Sequence, residues 1–107
     1  TAIGGRSIGF YDPQLLKKSQ GKSAYFCRFI LQELEKKGYK VNNISVAVEA
    51  KTPKLEFYAP SMKKNLSDLF KIKPEDVGLA FTTGEGLTAF GKGEGIQALA
   101  AVSLIKK

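Results

Sequence analysis

Residues 81–96 read FTTGEGLTAFGKGEGI and lie between two stretches of strand-like alternation, 77–81 before and 96–104 after. Five of the chain's eleven glycines fall here, together with Thr82, Thr83, Glu85 and Lys92. Glycine has no Cβ and tolerates positive φ, so a bound group can come close to the backbone. Successive N–H groups in such turns form concavities for anions. Glu85 is a hard oxygen donor of the kind that holds a metal ion on a phosphate, and Lys92 supplies positive charge nearby. The bland alternative is a glycine-rich connection with a solvated carboxylate and lysine. No single phosphate-loop pattern is matched.

Working outward, Val77, Leu79 and Phe81 alternate as a strand that Pro74-Glu75-Asp76 introduces as a turn. Before it, a helix is predicted over 59–70, with Pro60 in its first turn and Met62, Leu66, Leu69 and Phe70 facing inward. Lys51-Thr52-Pro53-Lys54 separates that helix from a strand over 44–50, marked by Ile44, Val46 and Val48. An earlier helix is capped by Ser23, carries an apolar stripe of Ala24, Phe26, Phe29, Ile30, Leu31 and Leu34, and ends on Gly38 as a C′ glycine. Ahead of it, IGGRSIGFYDP suggests a brief strand and a turn at Asp12-Pro13. After the glycine-rich stretch, Ile96, Ala98, Ala100, Val102 and Leu104 alternate as a final strand. This order predicts an α+β fold, with helices packed on one face of a small mixed sheet of roughly three or four strands.

The 107 residues suit a single domain, read as residues 1–107 and also as an incomplete or truncated one. The chain starts on Thr1 without methionine, which suggests a processed chain, a fragment or part of a longer polypeptide. Neither a secretory leader nor a run of eighteen apolar residues is present in these residues, so no membrane partner is expected. Seventeen Lys plus Arg against ten acids leave a net charge of +7, which favours anionic ligands. The lysines are scattered as pairs (17–18, 36–37, 63–64, 106–107), so solvated faces are preferred to a nucleic-acid surface. The chain has no histidine, which excludes Ser–His and Cys–His nucleophiles and a zinc site of ordinary composition. Its one cysteine, Cys27, precludes an internal disulfide and fits a reducing compartment; its place on an apolar helix stripe suits core filling better than catalysis. No pair of carboxylates has the spacing of a general acid and base.

Two segments carry a family resemblance. GYKVNNISVAVEAKTPKL resembles the Gly-Tyr, Asn, strand, Ala-x-x-Pro-Lys run of the 2-C-methyl-D-erythritol 2,4-cyclodiphosphate synthases of the non-mevalonate isoprenoid pathway. TTGEGLTAFGKGEGI resembles their signature Thr-Thr-Thr-Glu-Lys-Leu-Gly-Phe-x-Gly-Arg-Gly-Glu-Gly-Ile. Pro60 and Met62 fall where that family has a proline and a methionine, and the resemblance covers 38–107, about two-thirds of the chain.

The resemblance implies a ferredoxin-like synthase architecture in a homotrimer with shared sites. It also implies a cytoplasmic location, or a plastid-type organelle in a eukaryote. Ala50, Pro53, Lys54 and Leu55 would line a cytosine pocket. Thr82 and Thr83 would hold the phosphates of a cytidine nucleotide, Thr83 and Glu85 would be catalytic, and Glu85 would bind magnesium. Lys92 would take the place of an arginine that faces an anion on the trimer axis. The implied reaction is cyclisation, by attack of a phosphate on a CDP-linked diphosphate and release of CMP, with zinc and magnesium polarising the phosphates.

The departures are specific. The signature's third threonine is Gly84, its lysine is Gly86 and its phenylalanine is Ala89, which suggests a looser phosphate turn. The family's Asp-x-His pair and later helix histidine for zinc are absent. The N-terminal third matches in either of two ways, one placing Lys18 and Phe26 at the histidine positions, the other placing Ala2 at an aspartate position. Three readings follow: an incomplete view of a normal synthase, a relative that lost its metal site and binds a nucleotide without catalysis, or a basic nucleic-acid or protein interaction module.

Overall fold

The computed structural model describes residues 22–52 and 54–107, in two compact units. The N-terminal strand and turn expected near Asp12-Pro13, and the matches at Ala2, Lys18 and Pro53, lie outside the described residues.

The first unit is built on helix α1, Ser23–Lys36. Ser23 is not its cap. The extended residue at the boundary is Lys22, which makes no side-chain capping bond, so Ser23 is already helical. At the other end Gly38 takes φ +81°, and its N–H donates to the Glu35 carbonyl at 3.0 Å. That left-handed residue is what a C′ position asks for, and the expected stop is where the helix ends. On the helix, Leu34 is buried, and Tyr25 and Phe26 meet edge to face at 6.5 Å. Burial pushes the Cys27 thiol up from its ordinary value of 9.0, with neighbouring Arg28 pulling weakly the other way.

The second unit holds a three-stranded mixed sheet in the order β2-β1-β3, with β1 Tyr39–Glu49, β2 Val77–Thr82 and β3 Gln97–Lys106. β1 and β2 are parallel, Ile44 opposite Val77 and Val48 opposite Phe81. β3 runs antiparallel to β1: the Lys107 N–H donates to the Gly38 carbonyl, while Ser103 bonds both Asn42 and Asn43 further along. Those cross-strand bonds explain why β1 begins five residues before the expected Ile44. The amide side chains of Asn42 and Asn43 are partners for a serine sixty residues away.

Helix α2, Ala59–Phe70, has the predicted bounds, with proline in its first turn, and it packs against β2. Its half-buried residues include Met62, Leu66, Leu69 and Phe70, as its period requires. Ser67 is buried on the same helix and donates to the Lys64 carbonyl at 2.8 Å, which satisfies its hydroxyl. The tightest packing of the unit joins Val77, with no exposed surface, to Ile44 beside it across the parallel pair.

The last strand departs from its pattern. β3 alternates as predicted, yet among its residues only Leu104 is even half-buried; Leu99 is 73 %, Val102 47 % and Ile105 39 % exposed. An edge strand with this much apolar surface in water is an open template for association.

Candidate functional site

The site lies within the second unit, at the carboxyl ends of the parallel strands β1 and β2. Val48 and Phe81, opposite each other in register, line its floor. Beyond the end of β1 the ladder continues for one more bond, from the Ala50 N–H to the Thr82 carbonyl at 3.0 Å. The Lys51 N–H then donates to the Phe90 carbonyl at 3.2 Å. Those two bonds pin the stretch after β1 against the glycine-rich loop. Between them opens a cavity of about 250 Å³, walled by Ala50, Lys51, Lys54, Leu55, Thr82 and Thr83. Apolar surface at the base and lysines with hydroxyls at the rim suit a flat ring that carries an anionic tail.

Residues 83–86 form a tight turn of unusual hand. Thr83 is in the right-handed region, then Gly84, Glu85 and Gly86 follow at φ +59°, +54° and +76°. Glu85, a non-glycine residue at positive φ, carries backbone strain there, as residues at functional turns often do. The hydroxyl oxygens of Thr82 and Thr83 accept from the N–H groups of Gly84 (2.9 Å) and Glu85 (3.3 Å), and the Gly86 N–H donates to the Thr83 carbonyl at 3.3 Å. The backbone donors expected to cradle an anion are therefore engaged inside the turn. An accepting hydroxyl still has its own proton to donate, so Thr82 and Thr83 are the groups able to reach a phosphate oxygen.

Seven sequence-predicted site residues thus fare differently. Ala50, Lys54, Leu55, Thr82 and Thr83 converge on one cavity. Glu85 sits on the adjoining turn, exposed to solvent and outside the cavity lining. Lys92 is exposed seven residues further on and also outside the lining; its N–H closes a turn on the Thr88 carbonyl at 3.0 Å.

Sequence reading missed four residues. Lys51 lines the cavity, its stem lying along Gly93. Glu56 lines it too. Glu49 and Thr88 bond to each other beside the turn, Thr88 donating to the Glu49 carboxylate. Thr88 stands where the family signature has glycine, a departure that marks the position; Glu49 carries no such sign. The looser turn expected from Gly84 is not found, because the Glu49 carboxylate occupies the space a Cβ at Gly84 would take.

Metal donors were tested on the residues present. Among the described residues no three His, Cys, Asp or Glu side chains cluster, and the chain contains no histidine. These residues do not fit a zinc ion. A single exposed carboxylate, Glu85, fits magnesium, which keeps several waters and uses one or two carboxylates plus ligand phosphates. Among the described residues no helix is long and apolar enough to cross a membrane.

Comparison with known proteins agrees with this geometry. The model of the YgbB family matches residues 1–105. The 2-C-methyl-D-erythritol 2,4-cyclodiphosphate synthase of Alkaliphilus metalliredigens is 37 % identical over 98 residues, 91 % of this chain and 62 % of its own length. That of Rhodopirellula baltica is 33 % identical over 107 residues, 99 % of this chain and 64 % of its own. The CDP complex of IspF from Plasmodium falciparum superposes with a TM-score of 0.83 at 28 % identity, over 99 % of this chain and 64 % of that one. The chain spans less than two-thirds of the length of these relatives. With the match running over nearly all its residues and the fold shared, the chain belongs to the YgbB family, that of the 2-C-methyl-D-erythritol 2,4-cyclodiphosphate synthases.

Proposed function

We propose that these residues form the nucleotide-holding part of a cyclodiphosphate synthase, which closes a ring by attack of a phosphate on a CDP-linked diphosphate and releases CMP. The observation that carries this is the cavity at the ends of β1 and β2, where Ala50, Lys54 and Leu55 face Thr82 and Thr83. Cytosine enters between Ala50 and Leu55, read by main-chain groups. Lys51 and Lys54 neutralise the diphosphate, and the Thr82 and Thr83 hydroxyls donate to its oxygens. Such fixed donors hold the diphosphate in one orientation, which is how a protein without a general base accelerates an intramolecular displacement.

Glu85 would hold a magnesium ion, which would supply positive charge to the phosphates of the ligand. Zinc chemistry is not provided by these residues, and no step is assigned to it. A homotrimer with shared sites is part of the proposal, supported by the uncovered apolar side chains Leu99, Val102 and Ile105 on β3. Lys92, exposed and outside its own chain's cavity lining, then faces an anion at the trimer axis. A reducing compartment, cytoplasmic or plastid-type, suits a chain whose one cysteine is free.

The test is a calorimetric titration with CDP, with and without magnesium. Magnesium-dependent binding is expected, and Thr83→Val and Glu85→Gln should each weaken it about tenfold, the effect of one hydrogen bond to a charged group. Unchanged affinity in both variants refutes the phosphate-binding role of the turn.

A further inference from the structure

Resting on that reading of the phosphate turn, we propose that Glu49 is a positioning residue: through Thr88 it holds the turn that carries Thr83 and Glu85. Glu49 is the last residue of β1, opposite Thr82 in register, with its side chain half-buried. Its carboxylate accepts the Thr88 hydroxyl proton. The same hydroxyl oxygen accepts from the Gly91 N–H at 3.0 Å. Gly91 is itself buried against the turn, with the Thr83 carbonyl and the Gly86 backbone occupying the place a Cβ would need. Contacts therefore run without a gap from the end of the rigid strand to the base of the phosphate turn.

Two departures from the family signature become complementary on this view. Gly84 replaces a threonine and vacates the space in which the Glu49 carboxylate lies. Thr88 replaces a glycine and supplies the hydroxyl that bonds to it. Gly84 gives the carboxylate its room, and Thr88 gives it a donor that glycine would not. A turn held in this way loses less freedom when a diphosphate binds. The negative charge of Glu49 works against the same ligand, so what matters in Glu49 is its acceptor oxygen.

The experiment compares Glu49→Ala, Glu49→Gln, Thr88→Val and the double variant Glu49→Ala/Thr88→Val. CDP with magnesium is titrated against each, cytidine is titrated as a ligand without phosphates, and amide exchange is followed by NMR. Glu49→Ala and Thr88→Val should each weaken CDP about five- to tenfold, the effect of a hydrogen bond. The double variant should lose no more than either single one, since all three break the same link. Cytidine affinity should not change, and Glu49→Gln, which keeps an acceptor and drops the charge, should bind CDP as tightly as the parent or more tightly. Exchange at Gly91 and Glu85 should quicken in Glu49→Ala and Thr88→Val and stay at the parent rate in Glu49→Gln. Parent-like CDP binding and exchange in Glu49→Ala overturns the proposal, as does equal damage in Glu49→Gln. If the parent itself fails to bind CDP, the nucleotide reading falls; the exchange arm then decides the role of Glu49 by itself.

Discussion

Gly91 and Gly95 lie four residues apart in the same loop, neither at positive φ, yet alanine should act oppositely at the two positions. At Gly95 a Cβ would stand 3.6 and 3.7 Å from ring carbons of Phe90, ordinary contact. At Gly91 it would be driven into the Thr83 carbonyl and would lie 3.1 and 3.2 Å from Gly86 backbone atoms. Backbone cannot swing aside as a side-chain tip can, so the turn itself must move. Overpacking of this kind costs about 3 kcal/mol at the upper end of its range. Alanine returns up to about 1 kcal/mol by restricting the unfolded chain. The net loss at Gly91 is about 2 kcal/mol, which for a chain of this size lowers Tm by roughly 8 °C. Gly95→Ala receives only the favourable part and should raise Tm by about 2–4 °C. Thermal melts followed by circular dichroism measure both, and CDP titration of Gly91→Ala below its Tm should show weaker binding, because Thr83 is displaced. Equal Tm for the two variants would refute the close approach of Gly91 to the turn, and with it the packing on which the site geometry depends.

Val77→Ala removes two methyl groups from the one fully buried large side chain among the described residues, and should cost about 2 kcal/mol in a urea titration with the slope unchanged. Lys71, at φ +57° where α2 ends, should accept glycine with a gain of about 0.5–1 kcal/mol, visible as a small rise in urea midpoint. Alkylation of Cys27 should be slow at pH 8 and should keep rising with pH after the rate for a free thiol has levelled off, because burial favours the neutral form. The same shift has a stability consequence. Its folded-state value is the higher one, so this contribution is complete below the ordinary thiol range and fades as pH climbs from 9 through the folded value; Cys27→Ser should flatten that alkaline loss of Tm.

How much of this could be read from the chain differs by element. Residues 59–70 stated their own structure: proline in the first turn and apolar residues at helical spacing act within a few positions, and the bounds matched. Gly38 did the same for the end of α1. Ser23 misled because capping depends on which residue turns extended, and Lys22 does so without offering a side chain to the helix. The early start of β1 was not legible because Ser103, the partner of Asn42 and Asn43, is remote in sequence. Ala50, Lys54, Leu55, Thr82 and Thr83, named through the resemblance of two motifs, line one cavity at the ends of neighbouring strands.

Sequence by itself determined the order of helices and strands, the family, the hydroxyls and lysines available to an anion, and the want of zinc ligands. The family rests on the resemblance of two motifs, and the rest follows from composition and from periodicities only a few residues long. Tertiary structure decided which of those groups meet. Parallel register set Val48 opposite Phe81 as the cavity floor, and turned Glu49 into the partner of Thr88, thirty-nine positions away. It spent the turn's N–H groups on threonine hydroxyls, and it left the apolar residues of β3 in water. None of these is a property of a local stretch: each depends on where a second segment of chain lies, and only packing fixes that.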